Sequence, residues 1–232
     1  CESLGTRWNG KLVGSFGLAS SFSFFFSHHL FTMEGGMIVT KDPNFAKRLR
    51  LLRAHGWEKP QRPSETIPLL PEDRYRFTSW GFNVRPTELQ AGFGLVQIEK
   101  LEGFLLRRAE IAKQLSQVIE RFPKLVRTMR IASELECSWF AFPILLNPGA
   151  NFSRSEFMSF LETNGIETRP IVAGNLARQP AYEIFDNLFC DELSGADEVH
   201  FNGMYIGINP ISDDSTIFQV CKLITEFLEL RN

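Results

Sequence analysis

The chain has 232 residues, 44% of them hydrophobic, and carries 25 basic and 27 acidic side chains for a net charge of −2. That is enough apolar material for one large or two small cores, and the balanced charge gives no footprint for nucleic acid or an anionic membrane. No apolar run reaches the roughly 20 residues of a membrane span. The cysteines, Cys1, Cys137, Cys190 and Cys221, lack CxxC spacing. This argues against a zinc or iron–sulfur site and for reduced thiols in a cytoplasmic protein.

Residues 1–20 hold Gly5, Gly10, Gly14 and Gly17 among Ser, Thr and Asn, and predict loop with short extended pieces. Residues 21–40, SFSFFFSHHLFTMEGGMIVT, predict a strand, a polar turn and a second strand. Phe22, Phe24 and Phe26 alternate with serines, which fits a strand with one face on the core. On composition alone His28 and His29 are a pair of half-buried loop imidazoles. Asp42 is placed to cap a helix with Pro43 at its first position and Phe45, Leu49 and Leu52 on one face. His55-Gly56-Trp57 closes it, with Gly56 in the left-handed region. Residues 58–79, with four prolines, predict a long irregular loop.

Thr87 then caps a helix from Glu88. Apolar residues keep helical spacing from Leu89 to Ile119, with a kink or break expected near Gly103 and Pro123 as the stop. A helix of this length suits a link between domains. Beyond it, short strands (125–131, 139–146, 166–170, 199–201) alternate with helices (153–164, 216–230). Ser153 with Glu156 forms a capping box, and Thr163-Asn164-Gly165 forms a stop. The polar loop from Gly174 to Pro180 carries more hydrogen-bonding side chains than its structure needs. Residue chemistry alone therefore gives an α/β protein: residues 1–95, a linking helix at 96–122, and a small α/β domain at 123–232.

The pattern from Ser23 to Gly36 resembles the cofactor segment of the DegT/StrS-type sugar aminotransferases, a branch of the fold-type-I pyridoxal-phosphate enzymes. These typically read S-F-x-x-x-K-x-x-x-x-x-E-G-G. The serine falls on Ser23, the acidic-glycine turn on Glu34-Gly35-Gly36, and the lysine position on His28. The opening CESLGT, the LRLLRAHGW stretch, GFNVRPTELQAG and ETRPIVAGNLARQP resemble the family as well, so the likeness runs through the chain. It implies the C-terminal portion of a fold-type-I transferase: part of the large α/β/α domain plus the small C-terminal α/β domain. An acidic residue that pairs with the cofactor's pyridine nitrogen falls, by the same resemblance, before Cys1, so the chain is expected to be N-terminally truncated.

An amine forms an imine with an aldehyde carbon; an imidazole does not. It does move protons near neutral pH. The Lys-to-His exchange resembles the sugar 3-dehydratase branch of the family. That resemblance implies pyridoxal 5'-phosphate and pyridoxamine 5'-phosphate as cofactor, glutamate as amino donor, and a nucleotide-linked 4-keto-6-deoxyhexose that loses its C3 hydroxyl. With no cysteine between Cys1 and Cys137, the iron–sulfur kind of 3-dehydratase lacks its ligands here. The resemblance makes His28 the catalytic base, Ser23 a phosphate ligand, and Asn83 a phosphate ligand to the other subunit of a homodimer with shared sites. His55 is a second catalytic candidate. Arg169, Arg178 and Asn175 are candidates for sugar or carboxylate contacts. His29 is assigned to structure and His200 to no role. Two alternatives stay open: a nucleotide-sugar aminotransferase, and a catalytically silent, truncated family member.

Overall fold

The computed structural model describes residues 1–58, 70–188 and 192–232. It divides into two units, Cys1–Leu101 and Glu102–Asn232.

The first unit opens with a hairpin of β1 (Arg7–Trp8) and β2 (Lys11–Leu12). Asn9 and Gly10 supply the two positive φ angles, 48° and 71°, that a two-residue hairpin turn requires. β3 (Ala19–Ser23) then pairs antiparallel with β4 (Gly36–Thr40), from Ala19 opposite Thr40 to Ser23 opposite Gly36. The strand is shorter than its phenylalanine alternation predicts. It stops at Ser23, and residues 24–35 form a loop closed by Phe24 N–H on the Gly35 carbonyl (2.9 Å) and Thr32 N–H on the Phe24 carbonyl (2.9 Å). Those local bonds outweigh the alternation, and Phe26 is left 66% exposed. Asp42 caps α1 (Pro43–Arg53) as expected, accepting from the N–H groups of Asn44 and Phe45 at 2.8 and 3.1 Å. Residues 59–69 of the stretch expected as irregular loop lie outside the described residues; from residue 70 the chain makes a single 3-10 turn, Pro71–Tyr75.

α2 (Glu88–Ile119) is continuous through Gly103, so the helix does not break there. Each helical glycine costs only about 1 kcal/mol against alanine. In return the second half of α2 buries Ile111, Ala112, Leu115, Val118 and Ile119, which outweighs that cost.

In the second unit, β5 (Val126–Arg127), β7 (Ala141–Leu146), β8 (Thr168–Pro170) and β9 (Gly203–Gly207) form one antiparallel sheet in the order β5-β7-β9-β8. A two-residue strand, β6 (Leu135–Glu136), lies between β5 and β7 in sequence. Phe142, Ile144 and Leu146 alternate inward along β7, and Met204 and Ile206 along β9. α3 (Arg154–Thr163) begins at the expected capping box and α5 (Asp214–Glu229) at Asp213. The core joins these helices to α2 and the sheet. Phe227 stacks on Phe157 (centroids 4.6 Å) and meets Phe152 edge-on at 5.0 Å.

Residues 199–201 are not a strand; they lie in α4 (Ser194–Asn202). Val199 and Phe201 suggest β-structure in isolation. The strand instead begins at Gly203, where an added Cβ would lie 2.6 Å from the Val199 carbonyl oxygen. The glycines at 203 and 207 disguise the true strand as a turn region.

Candidate functional site

The first unit builds its polar cluster from the end of β3. Ser23 Oγ accepts from the Phe25 N–H at 3.3 Å, which leaves the hydroxyl proton to donate elsewhere. His28 returns to the same residue, with Nδ1 3.3 Å from the Ser23 carbonyl. A carbonyl only accepts, so Nδ1 carries the proton and the neutral ring holds its lone pair on Nε2. The structure thus brings together the serine and histidine that the sequence separates by five residues. His29 is buried, at 5% exposure, in keeping with a structural role.

The glycine turn after this loop is held from two sides. Thr32 Oγ1 donates to the Glu34 carbonyl at 2.7 Å, and Gln90 Nε2 donates to the same oxygen at 2.8 Å. A Cβ on Gly35 (φ 149°) would lie 2.6 Å from Thr32 Oγ1. Gln90 also closes a reciprocal cap with Thr87: its Oε1 takes the Thr87 N–H (2.8 Å), and its own N–H bonds Thr87 Oγ1 (3.3 Å). The start of α2 and the Glu-Gly-Gly turn are therefore one hydrogen-bonded piece. The T-x-x-Q spacing of 87–90 carried that signal.

His55 and Asn83 come together through backbone. Ala54 and Asn83 form an antiparallel bridge. His55 N–H donates to the Phe82 carbonyl (2.8 Å), Phe82 N–H to Leu52 (2.6 Å), and Val84 N–H to Arg53 (3.1 Å). Two glycines make this approach possible. A Cβ on Gly56 would stand 1.8 Å from the Ser79 carbonyl oxygen, and one on Gly81 would stand 2.3 Å from Gly56 N. His55, at φ 63°, is exposed. Asn83 is also exposed and takes a 3.3 Å hydrogen bond from Arg85.

In the second unit, Arg169 is exposed and donates to Glu167 from Nε (3.0 Å) and Nη2 (2.5 Å). Arg178 grips Asp197 bidentately through Nε and Nη2. Asn175, 4% exposed, donates to the same carboxylate at 2.6 Å. The Arg178 guanidinium, aided by the Asn175 amide, holds the Asp197 carboxyl well below the usual carboxylate range. Sequence reasoning did not single out Asp197; the cue was an acid three positions before a histidine on one helix face. Among the described residues no group of three or more His, Cys, Asp or Glu is arranged to hold a metal ion.

This arrangement brings a serine hydroxyl and a histidine ring together at the end of β3, where Ser23 pairs with Gly36 of the glycine turn. The chain matches the DegT/DnrJ/EryC1/StrS aminotransferase family over residues 1–225, and it belongs to that family. It is 35% identical over 219 residues to GDP-4-keto-6-deoxy-D-mannose 3-dehydratase of Yersinia pseudotuberculosis, covering 91% of this chain and 54% of that one. Its fold is similar to that of the E. coli GDP-4-keto-6-deoxy-D-mannose-3-dehydratase with bound hydrated PLP, with TM-score 0.84 and 30% identity over 97% of this chain and 58% of the other. A GDP-4-keto-6-deoxymannose-3-dehydratase with a trapped PLP-glutamate geminal diamine matches equally, with TM-score 0.84, 30% identity, and 97% and 59% coverage. The chain thus spans a little over half the length of these relatives.

Proposed function

We propose that this chain serves a pyridoxal-phosphate-dependent 3-dehydratase acting on a nucleotide-linked 4-keto-6-deoxyhexose, with glutamate as amino donor. The reading is carried by His28, which the family resemblance sets at the lysine position and whose ring lies against the Ser23 carbonyl. The likeness to named 3-dehydratases supports it.

The residues present fit a phosphorylated pyridine cofactor. Ser23 Oγ already accepts from Phe25, so its proton is available to a phosphate oxygen. Bound pyridoxamine phosphate would supply the amine that condenses with the C4 ketone and the electron sink for elimination. The protein's share is orientation and proton transfer. Nδ1–H of His28 on Ser23 fixes the ring, and Nε2 is the atom that takes a proton and returns it toward the departing C3 oxygen. A histidine there makes no covalent anchor, so the amine is not recaptured by a lysine. Asn83 is proposed to reach the phosphate of a second copy in a homodimer. In support, its neighbours Phe82 and Val84 are 66% and 63% exposed and Trp80 is 95% exposed, an apolar rim suited to a partner surface. His55, bridged to the same segment, is proposed as a second proton-handling or substrate-facing group. Arg169, Arg178 and Asn175 are the proposed substrate-side residues, Asn175 through the loop it holds rather than by its own enclosed amide. Both arginines are exposed, and a guanidinium edge matches a carboxylate or diphosphate. The proposed location is the cytoplasm; among the described residues no helix is long and apolar enough to cross a membrane.

The test is incubation of the protein with pyridoxal phosphate, glutamate and GDP-4-keto-6-deoxymannose. Ammonia release with loss of the C3 hydroxyl is the expected result. A stable 4-amino sugar would point to an aminotransferase, and absence of cofactor absorbance to a silent family member. His28→Asn is expected to keep cofactor absorbance and lose dehydration; full activity in that variant would remove His28 as the base.

A further inference from the structure

We propose that His200 and Asp197 are positioning residues that clasp the 174–180 loop, and that the clasp holds only while the His200 ring is neutral. The two side chains sit three residues apart on α4, hence on one helix face. The loop meets both. Asn175 donates its backbone N–H to His200 Nδ1 at 3.3 Å. A ring nitrogen that accepts an N–H carries its lone pair, so the proton of the neutral ring is on Nε2. The Asn175 side chain is engaged at both ends, giving Nδ2–H to Asp197 at 2.6 Å and taking the Ala177 N–H on Oδ1 at 3.0 Å. Arg178 completes the clasp with its bidentate grip on Asp197, its guanidinium 5.1 Å from the centre of the Phe201 ring.

The loop also lies directly on the imidazole. Gly174 has φ 65°, and an added Cβ would stand 2.5 Å from His200 Nδ1 and 2.9 Å from its Cα. Only a residue without a Cβ lets the loop lie this close to the ring. Among the described residues, the charged groups around His200 are Asp197 on its own helix, Arg178 from the loop, and Arg154 from α3. Arg154 binds the His200 and Gly203 carbonyls at 2.5 and 3.1 Å and pins this end of α4. With the helix fixed, protonation of Nδ1 sets a ring N–H against the Asn175 N–H, two donors facing each other. The contact is present where the imidazole is neutral and lost where Nδ1 is protonated; histidine is the side chain whose charge ordinarily changes between about pH 5 and 8.

The catalytic consequence rests on the reading of this loop as substrate-facing; the clasp itself does not. The experiment is amide hydrogen exchange over residues 174–180 of the 232-residue chain from pH 5 to pH 8, corrected for intrinsic exchange. Wild type should lose protection about tenfold on going from pH 8 to pH 5, the worth of one net hydrogen bond. His200→Asn places a non-titrating oxygen near the position of Nδ1 and should stay protected across the range. His200→Leu should be unprotected throughout while the second unit still unfolds cooperatively. Protection that does not change with pH in wild type, or a His200→Asn profile that follows wild type, overturns the proposal. In a turnover assay, a KM for the nucleotide sugar that rises below neutrality in wild type but not in His200→Asn supports the substrate-facing role. A pH-dependent exchange profile with an unmoved KM keeps the clasp and rejects that role.

Discussion

Arg108 offers the sharpest test of how the second unit is held. It is 8% exposed and stands on the apolar stripe of α2, three and four residues before the buried Ile111 and Ala112. Its Nη1 donates to three carbonyls: Ile208 at 2.6 Å, and Trp139 and Phe140 at 3.1 Å each. Trp139 has φ 51°, a left-handed conformation that a bulky side chain disfavours by roughly 1–2 kcal/mol. The guanidinium therefore anchors a strained turn, the end of β9 and the long helix at one point. Replacing Arg108 by Met keeps the stem and removes the donors. Nη1 has two hydrogens to share among the three carbonyls, so the loss counts as two charge-assisted bonds at about 1.5 kcal/mol each, near 3 kcal/mol. Burial disfavours the charge and pulls the Arg108 pKa down, so removing the charge returns part of that loss. The expected net destabilisation is about 2–3 kcal/mol, a fall of about 1–1.5 M in the urea midpoint for m near 2 kcal/mol/M. Arg108→Lys, which keeps a donor without the fork, should fall between. A midpoint within about 0.2 M of wild type for Arg108→Met would refute the assignment of these three bonds as structural.

Other consequences are as direct. Gly56→Ala must place a methyl group 1.8 Å from the Ser79 oxygen at φ 74°, so the His55–Asn83 clamp should open; near-ultraviolet circular dichroism of the Trp57 region should collapse while the second unit's unfolding is unchanged. Asp197 is depressed in the folded state, so its contribution is present above its ordinary value of 3.8 and lost as pH falls below it; Asp197→Asn should flatten the acid limb of stability measured by urea titration from about pH 5 down to about pH 2. Burial pushes the Cys137 and Cys221 thiols up. Peptide mapping after brief alkylation at pH 8 should therefore find the exposed Cys1 labelled well before either.

Local chemistry was legible wherever a few neighbouring residues decide the outcome. Asp42-Pro43, Ser153 with Glu156, and Thr87 each announce a helix start through a side chain that reaches an orphan N–H within one turn. The register of Ser23 and His28 was also legible, because both lie on one short segment. What escaped depends on partners distant in sequence. The Glu34-Gly35-Gly36 turn is held by Gln90 of α2, 56 residues from Glu34. The Val199–Phe201 segment is helical because Gly203, not Val199, carries the strand against Met204's neighbours in β7. Arg108 and Asp197 were invisible for the same reason: their partners lie 31 to 100 residues away and 19 to 22 residues away, respectively.

Cohesion is unevenly shared between the two units. The contiguous buried cluster runs from Ile111 to Leu228, whereas the described residues of Cys1–Leu101 bury only Leu30 and Ala54 among their apolar side chains. Ser23, His28, His55 and Asn83 all sit in that thinner unit. Whatever binds there contributes to the folding equilibrium by mass action, about 2.7 kcal/mol at a ligand concentration one hundred times its Kd. Occupancy and foldedness of this unit are then one linked quantity. Its melting temperature should climb with ligand concentration while that of Glu102–Asn232 stays level.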